Sequence, residues 1–164
     1  MEHSGHFGAR ARVLRRLMVV LAVVAVALPA VSASASASSQ LPITIETSKP
    51  FGPVAGTFSV SGAFADSGTM ENLSRTASGF GAPTFLGSHL TILFTGANGT
   101  FTIKAQIVET VTADPLVLTN TGTWTLIAGT GEYADLHGIG TVSGTADDNI
   151  NLITRIYQGS VHFD

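Results

Sequence analysis

The sequence predicts an all-β fold: a single antiparallel closed β-barrel of about eight strands over residues 38–164, preceded by a signal peptide and small-residue tether at 1–37. Three observations carry this. Apolar residues alternate with Thr, Ser and other small polar residues along most of the chain, the pattern of half-buried strands. Gly, Pro, Asn and Asp clusters divide the runs. No segment sustains a helical period. The runs fall at roughly 41–46, 55–65, 67–74, 85–95, 99–112, 116–128, 137–145 and 150–163.

Phe58, Val60 and Phe64 alternate with Thr57, Ser59, Ser61 and Ala63. Leu90, Ile92 and Phe94 share a face, as do Phe101, Ile103, Ala105, Ile107, Glu109 and Val111. Trp124 and Leu126 alternate with Thr123 and Thr125. In the last run Ile153, Tyr157, Val161 and Phe163 take one parity and Leu152 and Ile156 the other, so that strand is expected to be covered on both sides. Asn98-Gly99 predicts a tight hairpin with both residues at positive φ. Asp114-Pro115 and Asp147-Asp148-Asn149 predict two more turns, and Glu132 to Leu136 a short helical turn. Strands in this order form a sandwich or a barrel. Closure is favoured because only 12% of the chain is charged, too little to blunt exposed edges. Gly62, Gly122, Gly138, Gly140 and Gly144 suit strong coiling.

The N-terminus reads as an address. Arg10, Arg12, Arg15 and Arg16 precede an apolar run of 12 residues, Leu17 to Leu28, then Pro29 and alternating Ser and Ala. These are the three parts of a secretory signal, with cleavage after Ala33, Ala35 or Ala37. Arg15-Arg16 lacks the flanking residues of a twin-arginine signal. The apolar run falls short of the ~20 residues of a membrane span, so cleavage is favoured over anchoring and leaves no transmembrane span. The expected location is extracellular.

Beyond residue 37 the chain holds ten acidic residues and four basic ones, Lys49, Arg75, Lys104 and Arg155. An acidic domain argues against nucleic acid as a partner. The absence of Cys removes disulfides, thiolate metal sites and a cysteine nucleophile. No Gly-x-Ser-x-Gly elbow occurs, and Gly129-Thr-Gly-Glu-Tyr lacks the Lys of a phosphate loop.

The segment Gly122-Thr-Trp-Thr-Leu-Ile-Ala-Gly-Thr-Gly-Glu-Tyr-Ala-Asp-Leu-His-Gly-Ile-Gly-Thr-Val142 resembles the allene oxide cyclase-like barrel, a fold shared with plant dirigent proteins. The hairpin Phe94 to Ile103 and the ending Tyr157-Gln-Gly-Ser-Val-His-Phe163 fit the same pattern. The resemblance is good over 94–144 and loose over 54–163. It implies a barrel, and it brings in cyclase chemistry, in which a polar constellation inside an apolar barrel guides ring closure of an unstable epoxide. None of this chain's residues is assigned a role in that constellation.

Glu109 is the candidate acid or base, because its parity puts a carboxylate on a buried face; the other reading is a strand-end carboxylate at the rim. Phe58, Phe94, Phe101, Trp124, Tyr133 and Tyr157 are candidates to line an apolar ligand cavity, the other reading being a filled core. His89 reads as solvated and His137 as a rim residue; with His162 they show no metal-type spacing, so no metal and no cofactor is expected. Asp147, Asp148 and Asn149 read as a solvated turn, with calcium shared with Asp135 as the other reading. The leading function is non-catalytic binding of a small apolar ligand. The alternatives are a cyclase or isomerase and a structural protein that associates with itself as a homo-oligomer. Mass spectrometry of the secreted protein should find a first residue between 34 and 38; an intact Met1 in the medium would contradict the leader.

Overall fold

The computed structural model describes residues 39–78 and 85–164; the leader lies outside them. Eight antiparallel strands follow the chain: β1 (Leu41–Lys49), β2 (Gly56–Gly62), β3 (Asp66–Ser78), β4 (Phe85–Gly96), β5 (Thr100–Val111), β6 (Val117–Gly129), β7 (Leu136–Asp147) and β8 (Leu152–Phe163). Each pairs with the next, and β1 pairs with β8 from Leu41–Val161 to Lys49–Ile153, which closes the barrel and excludes the sandwich. The outer face is rich in Thr and Ser, and the interior is apolar except where Lys49, Glu109, Asn120 and Arg155 are buried.

The turns sort to two ends. The chain crosses at 50–55, 112–116 and 148–151 at one end, called the mouth. It crosses at 63–65, 97–99 and 130–135 at the other, called the base. At the mouth, Asp114 Oδ1 accepts from the Leu116 amide at 2.9 Å. Asp147 Oδ1 accepts from the Asn149 amide at 3.0 Å, and Asn151 takes φ 52° to enter β8. At the base, the 96–99 turn forms with Gly96 N–H donating to Gly99 O at 2.9 Å. Only Gly99 has positive φ there, so this is a different turn from the one Asn-Gly led us to expect. The helical turn is a 3-10 turn over Gly131–Tyr133, slightly earlier than predicted.

That 3-10 turn drives Tyr133 into the base as a plug. Its ring stacks at a tilt on Phe64 at 4.9 Å and edge-on to Phe101 at 5.4 Å. Its hydroxyl donates to Asp66 Oδ2 at 2.6 Å, and Asp66 Oδ1 accepts from the Ala97 and Ser67 amides. Above the plug, register stacks Phe94 on its partner Phe101 at 4.6 Å, with Phe58 edge-on to both. Trp124 reaches across β7 to β8, donating from Nε1 to Gln158 O at 3.2 Å. Gly140 permits this, since a Cβ there would sit 2.6 Å from that indole nitrogen. On β8, Ile156 faces outward and is 41% exposed, so that strand is covered on one side only, contrary to expectation; its alternate apolar residues lie on a wall open to water.

Burial pushes the Asp66 carboxyl up, but the Tyr133 hydroxyl and the backbone amides outweigh it and hold it below the ordinary 3.8. A carboxyl depressed in the folded state stabilises above its unfolded pKa, and that contribution is lost as pH falls through the folded one. Asp66→Asn should therefore lower the melting temperature at neutral pH, and the gap to the parent protein should narrow once pH drops below about 3.8. A gap that stays constant into strong acid would remove Asp66 as the charged anchor of the plug.

Candidate functional site

The base half of the barrel is solid and the mouth half is not. A chamber of about 520 Å³ opens at the mouth. Leu86, Leu90, Leu118, Ala146 and Ile153 form part of its wall, with Phe51 and Pro53 from the 50–55 turn. Four charged side chains also line it: Lys49, Arg75, Glu109 and Arg155.

Arg155 and Glu109 are buried at the floor, each about 5% exposed on its side chain. Arg155 Nε and Nη2 donate to Asn120 Oδ1 at 3.1 and 2.9 Å, and Nη2 reaches Glu109 Oε1 at 3.5 Å. Arg155 on β8 reaches Asn120 on β6 by crossing β7 at Gly144, the register partner of both. A Cβ at Gly144 would lie 3.0 Å from Arg155 Cγ and closer still to the Thr154 carbonyl. Asn120 is in turn the direct partner of Glu109. Arg75, half-exposed at the rim, donates from Nη2 to Glu109 Oε2 at 3.1 Å and also to Ser88 Oγ. Lys49 is buried, and its Nζ donates to two neutral carbonyls, Pro50 O at 2.7 Å and Gly52 O at 3.0 Å. Burial, then repulsion from Arg155 and Arg75, lowers the Lys49 pKa. Tyr157, two residues along β8 on the same inner face, has a buried hydroxyl without a partner among the described residues, and burial raises its pKa.

The chain matches no family model, no curated protein and no solved structure. The likeness to allene oxide cyclase-like barrels rests on the residues quoted for it.

Glu109 faces inward as its parity predicts, and it is held between two guanidinium groups. Phe58, Phe94, Phe101, Trp124, Tyr133 and Tyr157 belong to the packed core, all less than 5% exposed, and none of the six is part of the chamber wall. Phe58 meets Phe94 and Phe101 edge to face, and Tyr157 meets Phe94 the same way. His89 is exposed, as expected. His137 and His162 are cross-strand partners with stacked rings at 5.2 Å, and the Asp164 carboxylate reaches both. Among the described residues no group of three His, Cys, Asp or Glu is arranged to hold a metal ion. Asp135 cannot share calcium with Asp147: the first precedes β7 and the second ends it, and its 12 residues span roughly 40 Å at about 3.3 Å each. A larger depression, about 580 Å³, lies on the outer wall of β1, β2, β7 and β8, where Ser and Thr such as Thr57, Ser59 and Ser143 surround it. It gathers fewer charged groups than the chamber, Glu46 and Arg155 alone.

The sequence reading does not reach Lys49, Arg75, Asn120 or Arg155. Lys49 continues the inward parity of Ile43 and Ile45, but only if β1 runs past residue 46. Arg155 shares the parity of Ile153 and Tyr157, a signal present in the sequence. Arg75 faces inward opposite Leu90 only because a bulge between Asn72 and Ser74 shifts the register of β3.

Removing the charge from Glu109 would leave Arg155 buried without an anion. Glu109→Gln should lower unfolding free energy in urea by up to about 3 kcal/mol, the scale for breaking a buried ion pair. Stability within about 0.5 kcal/mol of the parent protein, the range of an ordinary surface substitution, would mean that Glu109 does not neutralise the floor.

Proposed function

We propose that this chain is an exported binding barrel that takes one small ligand into the mouth chamber without transforming it. The observation that supports this is an open volume of about 520 Å³ beside the buried aromatic core, walled by Leu86, Leu90, Leu118 and Ile153. Such a volume is in the range that small-molecule sites occupy, with an apolar wall and a few placed polar groups. The expectation of an apolar ligand is kept, but its seat moves from the aromatic core to this wall. Binding is favoured over cyclase chemistry because both Glu109 oxygens are engaged by guanidinium groups. That arrangement holds a carboxylate in place; a general acid or base needs a free oxygen within reach of the proton it moves. Export rests on the N-terminal pattern alone.

A neutral naphthalene dye, N-phenyl-1-naphthylamine, should brighten on addition to the protein. Ala146→Phe, which fills the chamber from its wall, should weaken that binding about tenfold or more while leaving the far-ultraviolet spectrum unchanged. No brightening with the parent protein, or equal brightening with Ala146→Phe, would overturn the reading.

A further inference from the structure

We infer that the ligand is an amphipathic organic acid, its carboxylate seated among Lys49, Arg75 and Arg155 and its apolar body against the chamber wall and rim. This rests on the chamber being a binding site. Beyond residue 38 the chain has four basic residues in a background of ten acidic ones. Three of the four line this one chamber, and the fourth, Lys104, is exposed on the outer face of β5. A single carboxylate, Glu109, opposes them, so positive charge is left over. Burying charge without a counterion is costly, and a fold that does not need the cations for packing would lose them more easily than keep them.

Lys49 makes the point locally. Its ammonium is buried, is held by two uncharged carbonyls, and has the two guanidinium groups as its charged neighbours. An anion arriving there would meet three donors whose mutual repulsion it relieves, in a partly dry site where the attraction is stronger than in water. A carboxylate suits the guanidinium fork, which offers parallel N–H groups in its plane. The rest of the wall is unsuited to a purely polar ion: Phe51, Leu86, Leu118 and Ile153 face the same space. The mouth turns and bulge also expose Val54, Leu73, Leu116 and Ile150. Head in and body toward the rim satisfies both sets.

The test is calorimetric titration of the whole secreted protein with three probes: 2-naphthylacetate, the matched neutral alcohol 2-naphthylethanol, and acetate. The naphthylacetate should bind roughly 10- to 100-fold tighter than the alcohol, the scale of one charge-assisted contact set. Acetate should bind far more weakly than either. Lys49→Met and Arg75→Gln should each shrink the acid's advantage, and so should added salt. Equal binding of acid and alcohol would overturn this inference and leave the chamber as a neutral site. Acetate binding as tightly as naphthylacetate would overturn the amphipathic part. If neither naphthalene probe binds, the inference falls together with the binding barrel itself.

Discussion

The pairing of β1 with β8 is the contact on which the rest of the molecule depends. It joins Leu41–Lys49 to Leu152–Phe163 along their length and leaves no strand edge open. A chain with no disulfide and few charges has little else with which to protect an edge. Closure also gives the alternating pattern its meaning. A slip of one residue at this seam would turn Ile43 and Ile45 outward while Tyr157 and Val161 stayed in, or the reverse. The same seam sets Thr47 opposite Arg155 and Lys49 opposite Ile153, so two of the three chamber cations arrive from the strands that close the barrel.

How far the sequence could be read follows from what kind of information each feature needs. Strand positions need only period and punctuation, and the eight runs fall close to the eight strands, with β1 and β3 running longer than the pattern implied. Inward parity needs an unbroken strand. It therefore places Glu109 and the Phe94–Phe101 pair correctly and fails at Arg75, where the bulge near Leu73 changes the face. Cross-strand neighbours need register, which no local pattern supplies. Hence Asn120 beneath Glu109, the path of Arg155 over Gly144 and the meeting of His137 with His162 become visible only in the folded barrel. Gly140 is the clearest change of meaning. As sequence it reads as a bend, while in the fold it is the space that Trp124 occupies.

The two ends of the barrel solve opposite problems. The base is filled by an aromatic plug whose hydroxyl donates to Asp66, a carboxylate that also accepts from two neighbouring amides. Burial and that carboxylate together push the Tyr133 hydroxyl up to about 12, so the plug stays neutral and hydrogen-bonded well above neutral pH. At the mouth the side chains are instead long, charged and tied to one another around empty volume. Dense packing at one end fixes the strand positions from which the other end hangs its charged groups. A site built on strands in this way holds its geometry better than one built on loops.

Glu109 sets how much positive charge the chamber keeps. With two guanidinium groups on one carboxylate it neutralises part of the cluster, while Lys49 is bonded to the Pro50 and Gly52 carbonyls instead. Against three cations, a second carboxylate would still leave one positive charge uncompensated. None would leave Arg155 buried against Asn120 alone, a neutral partner. The acidic outer surface does not cancel this field, because charges separated by more than about 8 Å of salt solution are largely screened while those inside the chamber are not. The single chamber carboxylate therefore leaves the folded barrel with uncompensated positive charge at its mouth.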